Sequence, residues 1–179
     1  MATNMTTGSN GYATKPSEQE VLITRVFDAP RELVFRAWTD PEHLMRWYAP
    51  KGCTTHFLKL DFHQGGTFHS CIRSPEGHEC WCKGVYREIV VPEMIVFTLE
   101  ISDEYGNSVE PADVGMDPDW PRETSVTVTF AELGGTTKLT LHQTVPESLA
   151  KRTGAHPSWI EMLDRLAEEL TNARVFPGV

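Results

Sequence analysis

No apolar run in the chain approaches the ~20 residues that a membrane-crossing helix needs, so a helical membrane protein is excluded and a soluble chain is expected. Basic residues are scarce: 16 Lys and Arg stand against 25 Asp and Glu, the formal charge is −9, and no basic run exceeds the pair Lys151-Arg152. Such a field repels phosphate backbones and anionic lipid surfaces, so neither nucleic acid nor a membrane is expected as a partner. Cysteine is sparse too. Cys53, Cys71, Cys80 and Cys82 are too few for the disulfide scaffold of a secreted protein. The stretch from Met1 to Glu18 is rich in Thr, Asn, Gly and Ser and lacks both the basic start and the apolar core of a secretory signal. It reads as a disordered tail over 1–18 on a cytoplasmic protein with reduced thiols. Also missing are a Gly-x-Ser-x-Gly elbow, a phosphate-binding loop and a dinucleotide fingerprint, so no cofactor is expected.

What is present is ordinary globular material, 40% hydrophobic and 23% charged, enough for a single domain over 19–174 with a short tail at 175–179. Val21 to Phe27 is β-branched and apolar, a first strand that ends at Asp28-Ala29-Pro30. Pro30 suits a first helical position, and Leu33, Val34, Ala37 and Trp38 follow at helical spacing. Asp40-Pro41-Glu42 repeats that signal for a second short helix through Leu44, Met45 and Trp47. From Cys53 the punctuation is that of an antiparallel meander. Strands near Thr54–Phe62, Thr67–Ser74, Glu79–Val91, Met94–Ser102, Thr124–Leu133 and Thr136–Val145 are separated by Gly and Pro turns. One long break, Asp103 to Arg122, surrounds Trp120 with acidic residues and prolines. A closing helix is expected from about Ser158 to Ala173, with Ser158 and Glu161 as a capping box after Pro157 and an apolar stripe of Trp159, Met162, Leu163, Leu166 and Leu170. That stripe needs a partner, and the concave face of the sheet is the large one available. The reading is α+β: a curved antiparallel sheet of about seven strands gripping a long C-terminal helix.

The Pro75-Glu76-Gly77 turn sets the register of its hairpin by pairing Ser74 with His78. Arg73 then faces Glu79, Cys71 faces Trp81 and His69 faces Lys83 on the solvent side. Phe68, Ser70, Ile72, Cys80, Cys82, Gly84 and Tyr86 fall on the concave side. Ile95, Phe97, Leu99 and Ile101 alternate inward in the next strand, as do Val126, Val128 and Phe130, and then Leu139 and Leu141. A concave face that mixes large apolar groups with small ones is compatible with a partly empty interior and equally with a filled core.

Together, Asp28-Ala29-Pro30, Trp38-Thr39-Asp40-Pro41-Glu42, Trp47, Gly65-Gly66-Thr67-Phe68, Arg73-Ser74-Pro75-Glu76-Gly77, Gly84-Val85-Tyr86-Arg87-Glu88-Ile89 and the stretch from Trp159 to Leu170 resemble the SRPBCC superfamily. More narrowly, residues 20 to 173 look like bacterial homologues of the activator of the heat-shock-protein-90 ATPase, which share the START and birch-pollen-allergen helix-grip fold. The resemblance implies a hydrophobic cavity between sheet and long helix. It implies no single activity, because members range from lipid carriers to cyclases. Co-chaperone activity belongs to longer eukaryotic proteins with a further N-terminal domain and is not expected of this chain.

Three functions follow as alternatives. The first is binding of a small apolar or amphipathic molecule without chemistry. Its expected lining is Phe68, Ser70, Ile72, Cys82, Tyr86 and Glu88 from the strands, Phe97 and Leu99 from the next strand, and Trp159, Met162, Leu163 and Leu166 from the helix. Trp47 and Trp120 are placed at the mouth, with Trp120 as lid. The second is a cofactor-free cyclase or hydrolase in which Glu88, by the inward parity of Tyr86, forms an enclosed acid/base pair with that phenol. The third is a chaperone-linked interaction module. His78, Cys80 and Cys82 alternate on one strand face, but side chains two apart on a strand stand parallel, so no metal is expected. His69 and His142 fall on the outer face, where Trp81 raises the prospect of a self-associating patch and a homodimer.

Overall fold

The computed structural model describes residues 18–175, with side chains described through residue 172. The disordered tail expected over 1–18 therefore lies, apart from Glu18, outside the described residues, as do residues 176–179 of the second tail. The β-branched segment after it forms β1 (Glu20–Phe27), followed by α1 (Arg31–Ala37) and α2 (Pro41–Trp47). Then come β2 (Thr54–Leu60), β3 (Thr67–Arg73), β4 (Glu79–Val90), β5 (Met94–Ser102), β6 (Glu123–Leu133), β7 (Thr136–Pro146), α3 (Glu147–Thr153) and α4 (Ala155–Val175). The sheet is antiparallel and curved, in the order β1-β7-β6-β5-β4-β3-β2, so the meander is closed at one edge by the first strand returning beside the last. This is the helix-grip arrangement. No helix among the described residues is long and apolar enough to cross a membrane.

The short helices follow their local signals. Asp40 caps α2, its carboxylate accepting from the Glu42 N–H at 3.0 Å, with Pro41 inside the first turn. Pro30 is the cap of α1 rather than its first helical residue, because its ψ of 148° is still extended. Phe35 of α1 meets Phe130 of β6 edge-on at 5.3 Å, which holds α1 to the concave face. Residues of α4 fill the center: Trp159, Met162, Leu163, Leu166 and Leu170 are buried in one core with Val126, Val128, Leu139 and Leu141. Each such large side chain contributes about 1.5–3 kcal/mol over leaving it in water. Arg165 ties α4 to the segment after α2, donating to the carbonyls of Ala49 at 2.7 Å and Arg46 at 2.8 Å.

Two expectations near the C-terminus are corrected. The long helix begins at Ala155, three residues before Ser158, and a separate α3 precedes it; Gly154, at φ 86°, breaks the two apart. Ser158 and Glu161 form no capping box. The Ser158 hydroxyl donates to the Gly154 carbonyl at 2.8 Å, and Glu161 accepts from the Lys51 N–H at 2.9 Å. On the outer face, Cys71 is buried rather than solvated. Segment 103–107 folds over that region, bringing the Asp103 carbonyl to 3.1 Å from His69 Nε2 and the Gly106 carbonyl to 3.0 Å from Lys83 Nζ.

Candidate functional site

The register of the β3–β4 hairpin is the one its turn dictates: the Ser74 N–H donates to the His78 carbonyl, Gly77 has φ 91°, and Ile72 faces Cys80 while Ser70 faces Cys82. Continuing across the sheet, Cys82 faces Ile101 and Leu99 faces Thr124. Where these strands meet the start of α4 they leave a cavity of about 400 Å³. That lies inside the range of about 300–1,000 Å³ usual for small-molecule sites. Its floor is Ile72, Cys80, Cys82, Leu99, Ile101 and Thr124, and its roof is Trp159 and Met162 of α4. Pro50, Met116 and Trp120 border it from the loops.

One buried polar chain holds floor to roof. The Trp159 indole N–H can only donate, so the Gln143 oxygen must face it, and the bond is 2.9 Å. The Gln143 amide nitrogen in turn donates to Thr124 Oγ1 at 3.0 Å. Gln143 and Thr124 are 3% and 2% exposed, so these bonds are all that offsets their desolvation. Among the described residues the Thr124 hydroxyl donates no bond, which leaves one spare donor on an otherwise apolar wall.

Six of the expected lining residues border the cavity: Ile72, Cys82, Leu99, Trp120, Trp159 and Met162. Seven others are buried elsewhere. Phe68, Tyr86 and Phe97 form an aromatic cluster, with Phe62 against Tyr86 at 4.9 Å. Ser70, Leu163 and Leu166 are buried in the interior without reaching the cavity. Trp47 is wholly buried, its indole donating to the Ala37 carbonyl at 2.9 Å, and is no part of the mouth. Glu88 is a correction. A bulge between Tyr86 and Glu88 pairs Tyr86 with Phe97 but Glu88 with Val96, which turns Glu88 outward to solvent and gives its inward place to Ile89. The carboxylate–phenol pair of the enzyme alternative is therefore not assembled. Gln143 and Thr124, not named beforehand, sit at the inward parity of Leu141 and Val126, and that alternation was signal enough to find them.

Burial pushes the phenols of Tyr48 and Tyr86 well above the usual tyrosine range. Both are then protonated in the folded chain at a pH where the unfolded chain ionizes them. Their contribution is fully present below pH ~10 and is lost as pH rises toward the folded values, at up to about 1.4 kcal/mol per pH unit for each phenol. Urea melts at pH 9, 10 and 11 are expected to hold steady over the first step and fall over the second. An unchanged midpoint at pH 11 would contradict this.

Trp120 is held over the cavity from α3. Arg152 reaches Asp117 at 3.2 Å and Asp119 at 3.1 Å, both within the turn that leads into Trp120. The guanidinium is mostly solvated, so Arg152→Ala is expected to cost less than about 1 kcal/mol of global stability. Amide exchange over 115–122 should nevertheless quicken severalfold while the sheet is unaffected; an unchanged loop would mean the ion pairs do not hold it.

A family model described as Activator of Hsp90 ATPase homolog 1-like protein matches residues 28–171. No curated protein matches the chain in sequence. Among solved structures, a protein of Chromobacterium violaceum is 26% identical with a TM-score of 0.69, covering 84% of this chain and 95% of that one. A protein of Arthrobacter aurescens is 22% identical, TM-score 0.73, covering 84% and 85%. The AHSA1 protein of Silicibacter pomeroyi is 20% identical, TM-score 0.69, covering 86% and 98%. At the lower identities the likeness is one of fold.

Proposed function

Because this chain belongs to the family of Activator of Hsp90 ATPase homolog 1-like proteins, within the SRPBCC superfamily, and carries an apolar pocket, partly open to solvent, between sheet and last helix, we propose that it binds a small apolar or amphipathic molecule there. The observation that carries this reading is the apolar pocket of about 400 Å³, whose buried polar chain leaves only the Thr124 hydroxyl as a spare donor. The role is that of a carrier, sensor or sequestering protein: the pocket wall offers the hydroxyls of Thr124, Thr153 and Ser158, an amide and thiols but no carboxylate or imidazole for proton transfer. The family description alone supports a chaperone-linked interaction role.

The test is a thermal-shift screen of apolar and amphipathic compounds, joined to native mass spectrometry of the freshly purified protein. A ligand bound only by the folded chain adds about 2.7 kcal/mol at a hundred times its Kd, a shift of several degrees. Apolar hits of limited size, or a co-purified molecule of that kind, are the expected result. A screen in which no apolar compound shifts the melting curve would overturn the reading.

A further inference from the structure

The pocket wall carries no charge: among the described residues, no Asp, Glu, Lys, Arg or His borders it. Acidic groups stand around its mouth. Asp117 and Asp119 lie in the turn that leads into Trp120, and Arg152, the cation beside them, is engaged by both. Asp103, Glu104 and the Arg73-paired Glu79 line a neighboring groove that shares Cys80, Ile101 and Met116 with the pocket. A carboxylate entering the pocket would lose its water, meet no cation on the wall and pass a negative rim, so an anionic ligand is disfavored twice over.

Of the three hydroxyls on that wall, two are spent. Thr153 donates to the Leu149 carbonyl at 2.9 Å and Ser158 to the Gly154 carbonyl at 2.8 Å. Thr124 differs: it accepts from the Gln143 amide at 3.0 Å and, among the described residues, has no acceptor for its own hydrogen. The Trp159 indole, which can only donate, fixes the Gln143 amide with its nitrogen toward Thr124, so the threonine hydrogen must turn away from Gln143. Thr124 is 2% exposed, and a buried donor left unmet forfeits its hydration without return.

Resting on the ligand-binding reading above, we propose that Thr124 is the specificity-determining donor of the pocket and that the ligands are neutral apolar compounds bearing a carbonyl acceptor, ketones or esters, with carboxylates rejected. The carbonyl oxygen accepts from Thr124 while the apolar body lies against Ile72, Leu99, Ile101 and Met162. The polar chain then runs from Trp159 through Gln143 and Thr124 to the ligand, and both Gln143 and Thr124 accept one bond and donate the next.

Three probes of nearly one shape test this at pH 7 by displacing the apolar dye N-phenyl-1-naphthylamine: 2-acetylnaphthalene with a carbonyl, 2-ethylnaphthalene without one, and 2-naphthoate with a charge. Thr124→Val keeps the branched shape and removes the donor. It is expected to weaken 2-acetylnaphthalene about fivefold more than 2-ethylnaphthalene, a difference of about 1 kcal/mol, and Thr124→Ser, which keeps the hydroxyl, should hold the native ratio within about twofold. In the native chain 2-naphthoate is expected to bind at least about thirtyfold more weakly than 2-acetylnaphthalene, a comparison that depends on no variant folding. Equal losses for ketone and hydrocarbon in Thr124→Val, or 2-naphthoate within about threefold of the ketone, overturn the proposal. If the dye binds saturably but those losses are equal, the carbonyl assignment falls and apolar binding stands; if neither the dye nor any probe binds, both fall.

Discussion

Replacing Gly84 by Ala is expected to destabilize the protein by about 3 kcal/mol, at the high end for overpacking. The reason is close approach and not backbone torsion. A Cβ at this position would stand 1.9 Å from the Thr98 carbonyl oxygen and 2.5 Å from the Phe68 ring. The first contact is with backbone and cannot be relieved by a rotamer change. The second is with a ring wedged between Tyr86 and Phe97. Either β4 moves off β5 or the aromatic cluster is displaced. In urea, with a slope of about 2 kcal/mol/M for a chain of this size, the midpoint should fall by about 1.5 M. Gly77→Ala makes the comparison: nothing lies within 4 Å of its would-be Cβ, and the cost there is only that of a left-handed φ of 91°, about 1 kcal/mol. Equal midpoints for the two variants would show that the sheet yields at Gly84.

Leu99→Trp is expected to weaken binding of any cavity ligand at least about tenfold, or 1.4 kcal/mol, while changing stability by less than about 1 kcal/mol. Leu99 borders the cavity opposite Thr124, so a larger side chain has empty space to enter instead of a neighbor to displace. That separation of affinity from stability is the signature of a cavity that exists for a ligand. An unchanged affinity would place the ligand elsewhere. A loss of several kcal/mol in stability would show that the space is unavailable even to the protein's own side chains.

Strand order and register were legible because turn residues and period-2 alternation carry them: Pro75-Glu76-Gly77 was sufficient to pair every residue of β3 with its partner on β4. The cavity was legible only in part. Glu88 was misplaced because a bulge flips parity without leaving a compositional mark. The backbone of Tyr86 is engaged by Gly65 and Gly66, and the Val85 N–H by the Thr98 hydroxyl, so the strand changes register through tertiary contacts that no local pattern encodes. The start of α4 was misjudged for the opposite reason, an over-strong local signal. Pro157 and Ser158 resemble a helix start, yet Gly154 had already turned the chain, and a proline is tolerated in the first turn where no N–H partner is needed. Which inward residues line open space and which fill the core depends on how far α4 sits above the sheet, and alternation along strands does not report that distance. Leu163 and Leu166 share the stripe of Trp159 and Met162 but lie deeper along the helix, in the closed part of the core.

The most direct test of the binding account is a fluorescence titration of the protein with N-phenyl-1-naphthylamine, excited through the tryptophans, two of which, Trp120 and Trp159, border the cavity. The account predicts saturable energy transfer at one dye per chain, abolished or shifted at least about tenfold to weaker binding in Leu99→Trp. A signal that rises linearly without saturating, or that saturates identically in Leu99→Trp, would contradict it.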